Sequence, residues 1–198
     1  MTELVSGWQM IQNLIKDRDL ILDVDKYDVI LVGTTIYSML TNGFQAKIAS
    51  KFPTVDEINA GTPYGSTNKY GKRLTVDTIT PIISLMYIAG YPHSKRVFLN
   101  EDALTNCLST ANAEFKGKKV ATTMVGTTRF DGNGDRDRVM KIIEDNTKNL
   151  DLYVYDYEQL DKRVERDMVV DKLREENYEE YLKIRKDMNA YYKMFYLA

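Results

Sequence analysis

Apolar and polar positions follow two rhythms along this chain, and both are clearest between Lys119 and Tyr157. Val120 to Val125 is a short apolar run of β-forming residues, and Leu150, Leu152 and Val154 alternate as a strand does. Between them, Val139, Ile142 and Ile143 recur at helical spacing, with Asp135 placed to cap the helix they define. The connection Gly126-Thr-Thr-Arg-Phe-Asp-Gly-Asn-Gly134 has no periodicity and three glycines. The stretch therefore reads as strand, glycine-rich loop, helix, strand. A strand that breaks into glycines just before a helix aims backbone amides and the positive end of the helix dipole at one point, which suits a phosphate. Neither G-x-G-x-x-G nor the Gly-Lys-Ser/Thr phosphate loop is present, so a plain strand-to-helix connection explains this stretch equally well by itself.

The first half repeats the arrangement. Trp8, Ile11, Leu14 and Ile15 fit either one or two helical turns or a strand with a bulge. Leu20 to Leu22 is a short apolar run, and Asp23 to Tyr27 a polar turn. Asp28-Val-Ile-Leu-Val-Gly33 is apolar without alternation, as central parallel strands are. After Thr34 to Gly43, Phe44, Ile48 and Phe52 fall four apart, which predicts a helix that Asn42 caps and Pro53 stops. A second strand-loop-helix unit with a glycine at the helix start strengthens the anion-binding reading of both.

All four prolines lie between Pro53 and Pro92. Gly61 to Gly71 reads as a long polar loop with Tyr64 and Tyr70 as stacking surfaces. Arg73 to Ile79 and Ile83 to Ala89 read as strands. A helix from Ala103 to Phe115, capped by Asn100 or Asp102, buries Ala103, Leu104, Cys107, Leu108 and Ala111. From Glu158 to Ala198 there is neither glycine nor proline. There Val170, Leu173, Asn177, Tyr181, Ile184, Met188, Tyr191 and Phe195 step by threes and fours along one seam. That seam predicts a C-terminal helical extension, either folded back on the first domain (1–157) or serving homo-oligomerisation.

The 198 residues carry 27 basic and 29 acidic side chains, a balance that argues against a large nucleic-acid surface. One cysteine rules out an internal disulfide framework and points to a reducing compartment. One histidine, His93, in a turn-like stretch, rules out a histidine-rich metal site, and no cofactor is expected. The N-terminus lacks the features of a secretory signal, and no apolar run approaches the ~20 residues of a membrane span. A cytoplasmic, non-membrane protein is expected.

Asp19-Leu20, Asp28-Val-Ile-Leu-Val32, Asn42-Gly-Phe-Gln-Ala-Lys-Ile-Ala-Ser-Lys-Phe-Pro53 and Thr123-Met-Val-Gly-Thr-Thr-Arg-Phe-Asp-Gly132, taken in order, resemble macro domains over roughly residues 12 to 157. The likeness is to the compact branch that hydrolyses or reads terminal ADP-ribose. It implies an α/β fold with a mixed central sheet between helices and ADP-ribose, or a related nucleotide, across the top. It also implies that Asp19 sits near the adenine, that Thr41, Asn42, Gly43 and Phe44 face the distal ribose and diphosphate, and that Gly126, Thr127, Thr128, Arg129 and Phe130 hold the diphosphate from the other side. On the residues alone Asp19 reads equally as a turn aspartate. Asp131 stands where some relatives use an aspartate against the ribose; Asp-Gly turn formation is its other role. The lysine that some of these hydrolases use has no match in Ser84-Leu-Met-Tyr-Ile-Ala-Gly90, and the glycine-dense first loop of the family is thinned to Thr41-Asn-Gly-Phe44. The activities implied are hydrolysis of ADP-ribose 1''-phosphate or of ADP-ribosyl adducts. The alternatives are a catalytically inactive interaction protein working through its C-terminal helix, and a Rossmann-like nucleotide enzyme of another family.

Overall fold

The computed structural model describes residues 13–16, 18–41, 43–90, 97–127, 132 and 134–156. The expectations for Trp8, Ile11, Asn42, His93, Thr128, Arg129, Phe130, Asp131 and the 158–198 extension fall outside these residues. In chain order the elements are β1 (Leu14–Lys16), β2 (Val29–Thr35), α1 (Gly43–Lys51), α2 (Pro53–Ala60), β3 (Arg73–Asp77), β4 (Ile82–Gly90), β5 (Phe98–Leu99), α3 (Glu101–Glu114), β6 (Lys119–Thr123), α4 (Arg136–Asn146) and β7 (Asp151–Asp156).

The strands form one mixed sheet in the order β1-β7-β6-β2-β4-β3, with β5 paired to β4. Every neighbouring pair from β1 to β4 is parallel, whereas β3 and β5 run antiparallel to β4. The unalternated apolar run of β2 follows from its position between β6 and β4 with helices on both faces. Val29 and Leu31 pack with Leu104, Leu108 and Val139 from α3 and α4. Ile30 and Val32 point the other way, onto Ile48 of α1 and Val55 of α2. Each of these β2 side chains is essentially fully buried, a contribution on the order of 1.5–3 kcal/mol apiece.

Asn100 caps α3 by accepting from the Ala103 amide at 2.9 Å, so Asp102 takes a place in the first turn instead. Asp135 caps α4 through the Arg138 amide at 2.9 Å. The N-terminal ambiguity resolves toward a strand at Leu14–Lys16. The expected helix stop before Pro53 is observed, and Pro53 has a second role as well. Pro53 does not simply end a helix: α1 stops at Lys51, and Pro53 opens α2 in its first turn, where its missing N–H and fixed φ are an advantage. The polar 61–71 stretch likewise contains a 3-10 turn at Thr67–Lys69. Among the described residues, no helix is long and apolar enough to cross a membrane.

Candidate functional site at the C-terminal edge of the sheet

β2 and β6 are parallel neighbours, in register from Val29 opposite Val120 to Leu31 opposite Thr122. Their following loops therefore leave the sheet side by side at the same edge, and lead into α1 and α4. In open parallel sheets this is where ligands bind, because helix N-termini and loop amides gather there.

On the β2 side, Gln45 ties α1 to the strand end by donating its side-chain amide to the Gly33 carbonyl at 2.8 Å. Gly43 begins α1 with φ of +52°, and among the described residues nothing lies within 4 Å of where a Cβ would stand. No described residue covers this point of the helix start. Thr41 beside it is exposed, and Phe44 packs against the α1/α2 side of the core.

On the β6 side the glycines have a packing role that the sequence did not disclose. Gly134 donates its amide to the Gly126 carbonyl at 2.8 Å, and Leu99 donates to the Gly132 carbonyl at 2.8 Å. Cβ atoms at Gly126, Gly132 and Gly134 would each come within 2.7–2.8 Å of Leu99 side-chain atoms, and at Gly132 within 2.7 Å of the Gly126 carbonyl oxygen. Gly126, Gly132 and Gly134 all pack against Leu99, and the Gly134 amide is committed within the protein. Thr127 folds its hydroxyl back to the Met124 carbonyl at 3.0 Å.

Asp19 caps the 3-10 turn Leu20–Leu22 by accepting from the Ile21 amide at 3.1 Å, and its other oxygen pairs with Lys47 of α1. It also follows β1, whose Lys16 lies opposite Asp156 of β7. Asp156, 3% exposed, pairs with Arg136 at the start of α4, while its Oδ1 has no hydrogen-bond partner among the described residues. Sequence reasoning missed this carboxylate because nothing in an alternating strand marks its last residue. Below Asp19, buried Asp23 accepts from Arg18 and from the Tyr155 hydroxyl at 3.0 Å, and pairs with Lys26. Arg18 chiefly holds the Asp23 carboxyl well below the usual carboxylate range, against the opposing effect of burial; Lys26 and Tyr155 add to the lowering.

A further polar cluster was not anticipated. Ser38, in the turn after β2 with φ of +56°, accepts from Lys69 Nζ at 2.5 Å. Lys69 also donates to Thr62 Oγ1 at 2.8 Å and lies 4.0 Å over the Tyr87 ring. Ser38 and Thr62 hydroxyls share a hydrogen bond of 2.8 Å, and Tyr87 donates to Asn59 Oδ1 at 2.8 Å. Serine and lysine are 31 positions apart in an otherwise unpatterned polar region, so no sequence signal links them.

No family model matches the chain, and no curated protein matches its sequence. Solved structures do. The macrodomain of Mycobacterium tuberculosis DarG is 14% identical, with a TM-score of 0.55 over 72% of this chain and 96% of its own. The fold is that of a macrodomain. A Trypanosoma brucei macrodomain solved in complex with ADP-ribose shares it at 13% identity, with a TM-score of 0.52 over 78% of this chain and 67% of that one. An alphavirus structure, P23pro-zbd, matches at 13% identity and a TM-score of 0.54; 81% of this chain spans only 24% of that one. The mixed sheet between helix layers agrees with the fold expected from the residues that carry the resemblance. Of the site residues expected on that basis, Asp19, Thr41, Gly43, Phe44, Gly126 and Thr127 are described. Asn42, Thr128, Arg129, Phe130 and Asp131 are not.

Proposed function

We propose that this edge of the sheet binds ADP-ribose and hydrolyses an ADP-ribosyl bond, either to phosphate at the 1'' position or to a macromolecular acceptor. The observation that carries the reading is the pairing of β2 with β6, which sends the Gly43 and Gly126 loops out together beside two helix N-termini. A diphosphate suits such a place because helix dipoles and loop amides stabilise anions. The macrodomain solved with ADP-ribose supports the choice of ligand. In this reading Asp19 accepts from the adenine amine and Thr41 to Phe44 face the distal ribose. Gly126 to Phe130 hold the diphosphate, and Asp131 acts as the base at the ribose. Phosphates nearby would raise the Asp131 pKa toward a value suited to proton transfer. A reducing, cytoplasmic compartment fits the single cysteine, Cys107, which is buried and has its thiol pushed up to about 12, mainly by burial.

Titration calorimetry with ADP-ribose tests binding: absence of heat at millimolar ligand, with the protein folded, rejects the proposal. For turnover, Asp131→Ala is expected to abolish release of ADP-ribose while binding persists. Undiminished turnover in that variant would remove Asp131 from its role.

A further inference from the structure

Ser38 accepts from Lys69 Nζ at 2.5 Å, in a cluster outside the proposed nucleotide site. The serine sits in a strand-to-helix connection, between β2 and α1, with its backbone at φ +56°. For a non-glycine residue this conformation costs on the order of 1–2 kcal/mol, and such strain collects where a side chain must be presented. The lysine reaches it from the Thr67–Lys69 turn and is buried, yet no carboxylate among the described residues pairs with it. Its neighbours are the Ser38 and Thr62 hydroxyls and the Tyr87 ring. Burial therefore lowers the Lys69 pKa, which raises the share of free amine able to take a proton. The Met39 amide, next after the serine, donates to no acceptor among the described residues. Asn59 Nδ2, in the same cluster, is buried without a hydrogen-bond partner among them. Neither donor is committed to an acceptor among the described residues.

We propose that Ser38 and Lys69 form a serine–lysine nucleophile that cleaves esters of small acyl groups through an acyl-Ser38 intermediate. Ser38 Oγ adds to the ester carbonyl carbon as Lys69 takes its proton. The tetrahedral adduct then breaks its bond to the alcohol oxygen, which leaves with the proton from Lys69. Water adds to the acyl-serine, giving its proton to Lys69. The bond to Oγ breaks, the proton returns to Ser38, and the carboxylic acid departs. Ester plus water becomes acid plus alcohol, and the pair is restored without any other reactant. Ser38 and Lys69 are each 7% exposed, which confines the proposed substrates to small acyl groups.

The test uses the full chain with p-nitrophenyl acetate. A burst of nitrophenolate and an acetyl group mapped by peptide mass spectrometry to Ser38 are expected. Ser38→Ala should lose the burst, and Lys69→Met should slow it by about 10²-fold, the usual contribution of a positioned base. Should Ser38→Ala fail to fold, Ser38→Cys serves: its thiol is expected to react with iodoacetamide faster when Lys69 is retained than when Ser38→Cys is combined with Lys69→Met. Mapping on the unmodified chain decides by itself. Acetyl groups found only on other lysines, or no acetylation at all, overturn the proposal.

Discussion

The Tyr155 hydroxyl stands 3.0 Å from Asp23 Oδ2 and 2.6 Å from the Tyr27 hydroxyl, so one strand residue links two buried polar groups 132 and 128 positions away. Tyr155→Phe removes both links and leaves Asp23, 3% exposed, short of a partner. The expected loss is about 1–2 kcal/mol, read as a lower urea midpoint.

The same carboxylate sets an acid limit. Its folded pKa lies below the unfolded value near 3.9, so the native state resists protonation. Stability from Asp23 is complete above that value and is lost as the pH falls below it toward the folded pKa. Asp23→Asn should be less stable than the parent at pH 7, and the gap should narrow at pH 3. Thermal melts at the two pH values measure this.

Two glycine substitutions separate packing from opening. Gly132→Ala would press its methyl on the Gly126 carbonyl and on Leu99, with φ of +154°, at a cost of about 2–3 kcal/mol. Gly43→Ala meets no atom of the described residues within 4 Å and bears the strain of φ +52°, about 1–2 kcal/mol. Chemical denaturation should therefore rank Gly132→Ala below Gly43→Ala.

Lys69 is buried beside the Ser38 and Thr62 hydroxyls and the Tyr87 ring, with no carboxylate paired to it among the described residues. Lys69→Met should keep stability within about 1 kcal/mol of the parent or raise it, since Ser38 and Thr62 still pair with each other. Its folded pKa is below the unfolded value, so the parent gains stability as pH rises between the two, up to about 10.4, and the Met variant does not. Melts from pH 7 to 10 give the comparison.

Asp19→Ala should cost about 1 kcal/mol of stability through the lost cap at Ile21, a loss that Asp19→Asn largely avoids. With the adenine role, Asp19→Ala also weakens ADP-ribose by about tenfold, or ~1.4 kcal/mol, while leaving ribose 5-phosphate binding unchanged. Equal weakening of both ligands in calorimetry would assign the effect to the fold.

The sheet was readable because β2, β4 and β7 are long enough to impose their patterns, and because Asn100 and Asp135 carry side chains that only a helix start uses well. α2 escaped notice because a proline both ends and begins helices, and only tertiary context shows that Pro53 does the second. The loop glycines were legible as necessary, but their reason, the fit around Leu99, depends on a strand that precedes α3. Ser38 with Lys69, and Asp156 with Arg136, are encounters between remote residues that no local spacing announces.

Strand order also bears on how the molecule is made. Leu31 and its β6 partner Thr122 are 91 residues apart, so the apolar flank of β2 has no neighbour on that side until most of the domain has been synthesised. During translation, or in any fragment ending before Lys119, the later centre of the sheet is a bare edge open to pairing with other chains. Nascent copies would need shielding there, and early truncations should precipitate rather than merely lose activity.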